Sequence, residues 1–128
     1  MMIKENDIDE TKNCLYNKSI VMNSKNGFLF ASGQVPIDPA VGDVTAKGIV
    51  EQAEQVMKNI SAILEENGIG FENVIKTTCF LADMGDFQTF NEVYAKYFVN
   101  KPARSCVAVK ELPKKVLCEV EVIAALNQ

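Results

Sequence analysis

Between residues 50 and 67 the apolar positions recur at helical spacing. Val50, Ala53, Val56, Met57, Ile60, Ile63 and Leu64 share one face, with Glu51, Glu54, Lys58, Glu65 and Glu66 mostly opposite. The pattern predicts a helix that stops at Asn67-Gly68. Upstream, the short apolar run Ser19–Met22 and the run Phe28–Ser32 flank Asn23-Ser24-Lys25-Asn26-Gly27, a turn that ends in Asn-Gly. Two short strands around such a turn predict a hairpin. Ser32-Gly33-Gln34 closes the second strand, and Pro36, Asp38-Pro39 and Gly42 mark a loop with turns.

Val74–Leu81 is rich in β-branched residues and predicts a strand. Asp83 is placed to cap a second helix running to about Phe98, with Phe87, Phe90, Tyr94, Tyr97 and Phe98 inward. Pro102 ends that region. Ser105–Val109 predicts a strand, Leu112-Pro113-Lys114-Lys115 a turn, and Leu117–Leu126 the last strand. The order β-β-α-β-α-β-β predicts an α+β fold, a single sheet with two helices on one face. The late strands are nevertheless apolar on both faces: Cys106 and Ala108 alternate with Val107 and Val109, and Cys118, Val120, Val122 and Ala124 with Leu117, Ile123 and Ala125. Helices can cover only one face, so the pattern implies that another subunit covers the other.

A length of 128 residues fits one domain over 1–128, with residues 1–12, polar and charged, expected to be loosely held. A net charge of -4 argues against nucleic acid as a main partner, which would need a basic stripe. No apolar run is long enough to span a bilayer, and the N-terminus lacks a signal-peptide core, so the cytoplasm is the expected location. Cys14, Cys79, Cys106 and Cys118 are far apart and form no CxxC pair. In a cytosolic chain they read as free thiols, with neither a disulfide nor a zinc site expected.

Charge type narrows the chemistry further. The chain has twelve lysines, a single arginine, Arg104, and no histidine. Without histidine the usual general base, the usual zinc ligand and the Cys-His nucleophile pair are gone. Guanidinium is a planar fork that grips a carboxylate with two parallel hydrogen bonds, which an ammonium cannot do. Glu119 and Glu121 stand two residues apart on the last strand and share a face. If the strands around Leu112–Lys115 pair as a hairpin, Arg104 and Glu119 lie near one another. Two readings are then open: a cleft in which the arginine holds a substrate carboxylate and the glutamate handles a proton, or a salt bridge that only fixes the hairpin. Cys106 without a histidine partner reads as a core thiol. Asn91, a mid-helix polar residue, has no propensity reason to be there.

Several segments together resemble the RidA (YjgF) family of imine and enamine deaminases. Ser32-Gly33-Gln34-Val35-Pro36 with Asp38-Pro39 and Gly42 is similar to that family's SGQxPxDPxTG segment. So are Gln52, Gln55 and Asn59; Val74–Thr78 with Phe80–Met84; Phe90–Tyr94; Pro102–Val107; Leu112-Pro113; and Glu119-Val120-Glu121. The resemblance covers roughly Phe28 to Ala125. It implies a chorismate-mutase-like homotrimer with sites in the clefts between subunits. The implied reaction is hydrolysis of 2-imino acids such as 2-iminobutanoate and 2-iminopropanoate, and of their enamine tautomers such as 2-aminoacrylate, to 2-oxo acids and ammonia. No cofactor or metal is implied. Arg104 corresponds to the family arginine that binds the substrate carboxylate and Glu119 to the glutamate that activates water. Cys106 corresponds to a pocket-lining cysteine, Ser32 and Gly33 to a pocket wall, and Asn91 to an asparagine near the site. Tyr16 corresponds to a pocket tyrosine, although the family's Gly-Pro before it is absent and a longer Asn23–Gly27 turn must absorb the different spacing. Two further readings are a non-catalytic trimer that binds a small carboxylate, and a ribonuclease or translation inhibitor of the same family.

Overall fold

The computed structural model describes residues 2–6, 15–23 and 25–126. Residues 7–12, part of the segment expected to be loosely held, and Cys14 lie outside them. Eight regular elements follow one another: β1 Met2–Asn6, β2 Ser19–Asn23, β3 Phe28–Phe30, α1 Ile49–Glu66, β4 Val74–Leu81, α2 Phe87–Tyr97, β5 Ala103–Ala108 and β6 Cys118–Ala125. The mixed four-stranded sheet has the order β3-β6-β4-β5. β6 runs antiparallel to both β3 and β4, and β5 runs parallel to β4. The two helices with this sheet form the α+β arrangement expected from the element order.

Two pairings differ from expectation. β2 does not pair with β3; it pairs antiparallel with β1, Ile20 opposite Glu5, in a separate two-stranded ribbon. Nor do β5 and β6 form a hairpin, because β4 lies between them. A strand, a helix and a following strand favour a parallel neighbour reached by a crossover, and β4-α2-β5 is that unit. The 3-10 turn Pro113–Lys115, with Lys114 and Lys115 both at φ 55°, carries the chain back across the sheet edge rather than into a tight hairpin.

The core lies between the helices and one sheet face. Ala53, Val56, Met57, Ile60 and Leu64 of α1 are buried against Cys79, Leu81, Val120, Val122 and Ala124. Phe90, Val93 and Tyr94 of α2 join them. Each large side chain withdrawn from water in this way stabilises the fold by about 1.5–3 kcal/mol. Asp83 caps the 3-10 turn Met84–Asp86 through Gly85 N (2.7 Å), and α2 proper starts after Asp86. Gln52 is buried because its amide spans two segments: Nε2 donates to Ala46 O and Oε1 accepts from Leu117 N (2.8 Å). A register shift between Val74 and Lys76 resets the alternation in β4. Thr77, Cys79 and Leu81 therefore face the helices, and Lys76, Thr78 and Phe80 the other side.

Candidate functional site

Register assigns the candidate residues carried on strands to a face. Arg104 is opposite Thr77 and Cys106 opposite Cys79, so both belong to the helix-covered face. Glu119 is opposite Phe80 and Glu121 opposite Thr78, which places both carboxylates on the open face. From Arg104 to Glu119 the path crosses two strand spacings and runs three residues along the sheet, about 14 Å in all. Opposite faces and that separation exclude an Arg104–Glu119 ion pair within one chain. They equally exclude the single-chain cleft that a hairpin would have made.

Arg104 is held from several sides. Its Nη1 donates to Asn91 Oδ1 at 2.7 Å, which is the reason for a polar residue in the middle of α2. The guanidinium carbon lies 4.7 Å from the ring centre of Tyr94, 5.5 Å from that of Phe87 and 5.8 Å from that of Tyr16. Tyr94 is fixed in turn by a buried hydroxyl pair, 2.8 Å between Thr77 Oγ1 and Tyr94 OH. Burial, the larger effect, pushes the Tyr94 phenol well above its ordinary range. Tyr16 is brought to the arginine by its neighbour: Asn17 donates to Lys101 O through both its backbone N (3.0 Å) and its side-chain amide. Among the described residues no carboxylate pairs with Arg104. One of its five N–H donors is committed to Asn91, and the rest of the fork is available to a planar anion.

Beside it, Cys106 is half-buried and stands directly opposite Cys79 across the strand pair. The hydrogen bond from Cys79 lowers the Cys106 thiol to about 7 against the opposing effect of burial, and the Arg104 charge lowers it further. Burial pushes Cys79 up, and it pushes Cys118 up to about 12. Iodoacetamide at neutral pH is therefore expected to label Cys106 well before Cys79 or Cys118. Peptide mapping of a time course checks the order, and equal rates for the three would contradict it.

On the open face, Ala31 N donates to Val122 O and Gln34 N to Val120 O. Three residue steps on one strand thus match two on the other, so the chain bulges at Ser32-Gly33. The bulge puts Gly33 against Glu119. A Cβ at position 33 would stand 2.0 Å from Glu119 Oε2, so the carboxylate occupies space that only glycine leaves. Ser32 is exposed, and its carbonyl accepts from Gln34 Nε2 (3.1 Å).

The sequence candidates thus fall into two groups. Arg104, Asn91, Cys106 and Tyr16 cluster at the β5 edge; Glu119, Gly33 and Ser32 lie on the other face. Among the described residues no three His, Cys, Asp or Glu side chains are grouped to hold a metal ion. None of their helices is long and apolar enough to cross a membrane.

The family model for endoribonuclease L-PSP matches residues 11–126. The chain belongs to this family, the RidA (YjgF) family its motifs resemble. Among its relatives, the putative regulator AldR of Lactococcus lactis is 56% identical over 80% of this chain and 82% of its own length. A RutC family protein of Synechocystis is 49% identical over 87% and 85%. A putative endoribonuclease of Thermotoga maritima has a crystal structure that superposes with TM-score 0.76 at 42% identity, covering 88% and 87% of the two chains. Escherichia coli TdcF, crystallised with bound serine, superposes with TM-score 0.74 at 38% identity over 82% and 85%.

Within this RidA-family fold, several residues around Arg104 were read from sequence only as core or not at all. Phe87 and Tyr94 had helical spacing and counted as packing. Thr77 lay within the family-like Val74–Thr78 segment but was given no role, and Cys79 was read only as a free thiol. The available signal was topological: once β4-α2-β5 is taken as a parallel crossover unit, Thr77 and Cys79 stand opposite Arg104 and Cys106.

Proposed function

We propose that the protein hydrolyses 2-imino acids and their enamine tautomers to 2-oxo acids and ammonia, in clefts between the subunits of a homotrimer. The observation that carries this reading is the oriented guanidinium of Arg104, which pairs with no carboxylate among the described residues, in a chain that uses lysine for every other cation. A 2-imino acid has a carboxylate for that fork and an electrophilic C=N carbon next to it. TdcF's bound serine is a small amino acid with the same carboxylate, which favours this ligand class for the family site. Arg104 fixes the carboxylate through parallel hydrogen bonds. Glu119, brought by a neighbouring subunit, takes a proton from water as its oxygen adds to the imine carbon. Glu119 returns that proton to the nitrogen, giving the neutral carbinolamine. A further proton from solvent on the nitrogen lets ammonia leave as the hydroxyl gives its proton back to Glu119, leaving the 2-oxo acid, and the carboxylate releases that proton to solvent. The substrate is already activated, so orientation and one proton acceptor are enough.

The open face supports the trimer. Phe28, Phe30 and Val107 are 41%, 74% and 47% exposed there, an apolar patch a second copy would cover. Sedimentation at micromolar concentration is expected to give three times the chain mass; a monomer would defeat the assembly and the shared cleft with it.

The test of the reaction is release of 2-oxo acid and ammonia from imines generated in situ. A rate no faster than buffer, with carboxylate ligands still bound, would favour the non-catalytic reading instead. The family's endoribonuclease description makes RNA cleavage the control assay; the net charge of -4 weighs against that activity.

Gly33→Ala tests the glutamate. Its methyl group displaces only the flexible end of Glu119, so folding is expected to survive while the carboxylate shifts by an ångström or more. A misplacement of about 1 Å can cost roughly a hundredfold in rate. Turnover unchanged from wild type would remove Glu119 from the reaction.

A further inference from the structure

Parallel pairing of β4 with β5 sets Cys79 directly opposite Cys106, with both side chains on the same face. Neighbouring strands lie about 4.8 Å apart, inside the Cα separation of about 4.4–6.8 Å that a disulfide spans. The register makes the two cysteines nearest cross-strand neighbours. β5 is an edge strand, paired on one side only. It can therefore make the small shift that brings the two Cβ atoms to bonding distance without breaking a second ladder. We propose that Cys79 and Cys106 form a modification site for small hydroperoxides, in which Cys106 is oxidised and Cys79 closes the bond to it.

The two positions differ in ways that assign the roles. Cys106 is half-buried and reachable, two residues along the strand from the Arg104 guanidinium on the same face. Its thiol is lowered to about 7 by the neighbouring Cys79 and, against burial, by the arginine, which favours the thiolate that attacks peroxide. Cys79 is fully buried and kept protonated by that burial. The Cys106 thiolate attacks one oxygen of hydrogen peroxide. The O–O bond breaks, and hydroxide leaves and takes up a proton, so Cys106 becomes a sulfenic acid and the peroxide is reduced to water. The Cys79 sulfur then displaces the sulfenic hydroxyl, which departs as a second water with the Cys79 proton. In sum, two thiols and one peroxide give one disulfide and two waters. Because the sulfenic acid forms directly opposite a second thiol on the same face, closure is expected to outrun its further oxidation.

The readout is mass and does not depend on deaminase activity, so the site and the proposed reaction can fail separately. Wild-type protein is treated with stoichiometric hydrogen peroxide, digested without reduction and analysed by mass spectrometry. The expected product is lighter by two hydrogens per chain, yields a linked peptide containing Cys79 and Cys106 from one chain, and reverts with dithiothreitol. Cys79→Ala loses the neighbour that most lowers the Cys106 thiol, so it is expected to react more slowly than wild type but to stop at the sulfenic acid, trapped by dimedone on Cys106, and then to gain further oxygens. Cys106→Ser is expected to take up no oxygen at the same dose. The linked peptide is read from the wild type itself, so a poorly folded Cys79 variant does not remove the test. Three results would each overturn the proposal: wild-type Cys106 accumulating two or three oxygens with no linked peptide, linkage only between chains, or an unmodified wild type.

Discussion

Arg104→Lys is expected to lower kcat/KM for 2-imino acids by about ten- to a hundredfold, although the charge is kept, because a charge-assisted hydrogen bond is worth about 1.5–3 kcal/mol. The surroundings explain why lysine cannot substitute. Asn91 Oδ1 accepts from one Nη and fixes the plane of the guanidinium, while Tyr94, Phe87 and Tyr16 contact it from the sides. An ammonium can keep one bond and part of the cation–π attraction. It cannot present two parallel donors in a set plane. The loss should therefore appear in both KM and kcat, as the substrate loses grip and orientation together. Asn91→Ala leaves the fork chemically intact but unsteered, and is expected to be the milder change. Circular dichroism and sedimentation should be unchanged in both. If Arg104→Lys turned over like wild type, Arg104 would be a structural cation and the carboxylate would have to bind elsewhere.

Local periodicity carried most of the fold. The helix expected over 50–67 is Ile49–Glu66, the strand expected at Val74–Leu81 has those bounds, and the last strand is Cys118–Ala125. Each is set by residues near in sequence: a 3.6-residue apolar stripe, a β-branched run, a period-two alternation. Strand partners were less legible, because pairing is a choice among distant segments. The Asn26-Gly27 signal correctly marked a turn, with Gly27 at φ 88°, but β2 found its partner in β1. The turn at Leu112–Lys115 looked like a hairpin loop, yet the crossover through α2 claims the place beside β4 for β5.

The placement of the candidate residues was legible to the same degree. Composition singled out Arg104, and parity along β6 put Glu119 and Glu121 on one face, as the register shows. What parity could not give without the pairing was the relation between the two strands. One wrong neighbour turned opposite faces into a shared cleft. The same omission hid Thr77 and Cys79, whose partners across β5 become visible only once β4 and β5 are read as parallel. Asn91 is the opposite case: a residue that violated helix preference proved to hold the arginine.

The division of Arg104 and Glu119 between two faces leads to the second large effect, which appears on mixing. In the proposed trimer, Arg104→Ala and Glu119→Gln assemblies are each expected to be nearly inactive. If one chain supplied both residues, every site in a mixed trimer would lack one of them, and mixing would restore nothing. If a cleft takes Arg104 from one subunit and Glu119 from its neighbour, an intact site forms wherever a Glu119→Gln chain presents its arginine to an Arg104→Ala chain. Under random assembly from equal amounts, about one cleft in four has that arrangement in a closed ring with a repeated head-to-tail interface. Co-expression, or joint unfolding and refolding, should therefore recover about a quarter of wild-type turnover. Simple mixing of folded trimers should recover less, since subunits must exchange first. Within a chain the two groups stand about 14 Å apart on opposite faces of the sheet, which is why recovery is the expected result. Mixed trimers verified by mass yet no more active than their parents would show that the two residues do not meet across an interface. The catalytic proton acceptor would then have to be sought among the groups around Arg104 itself.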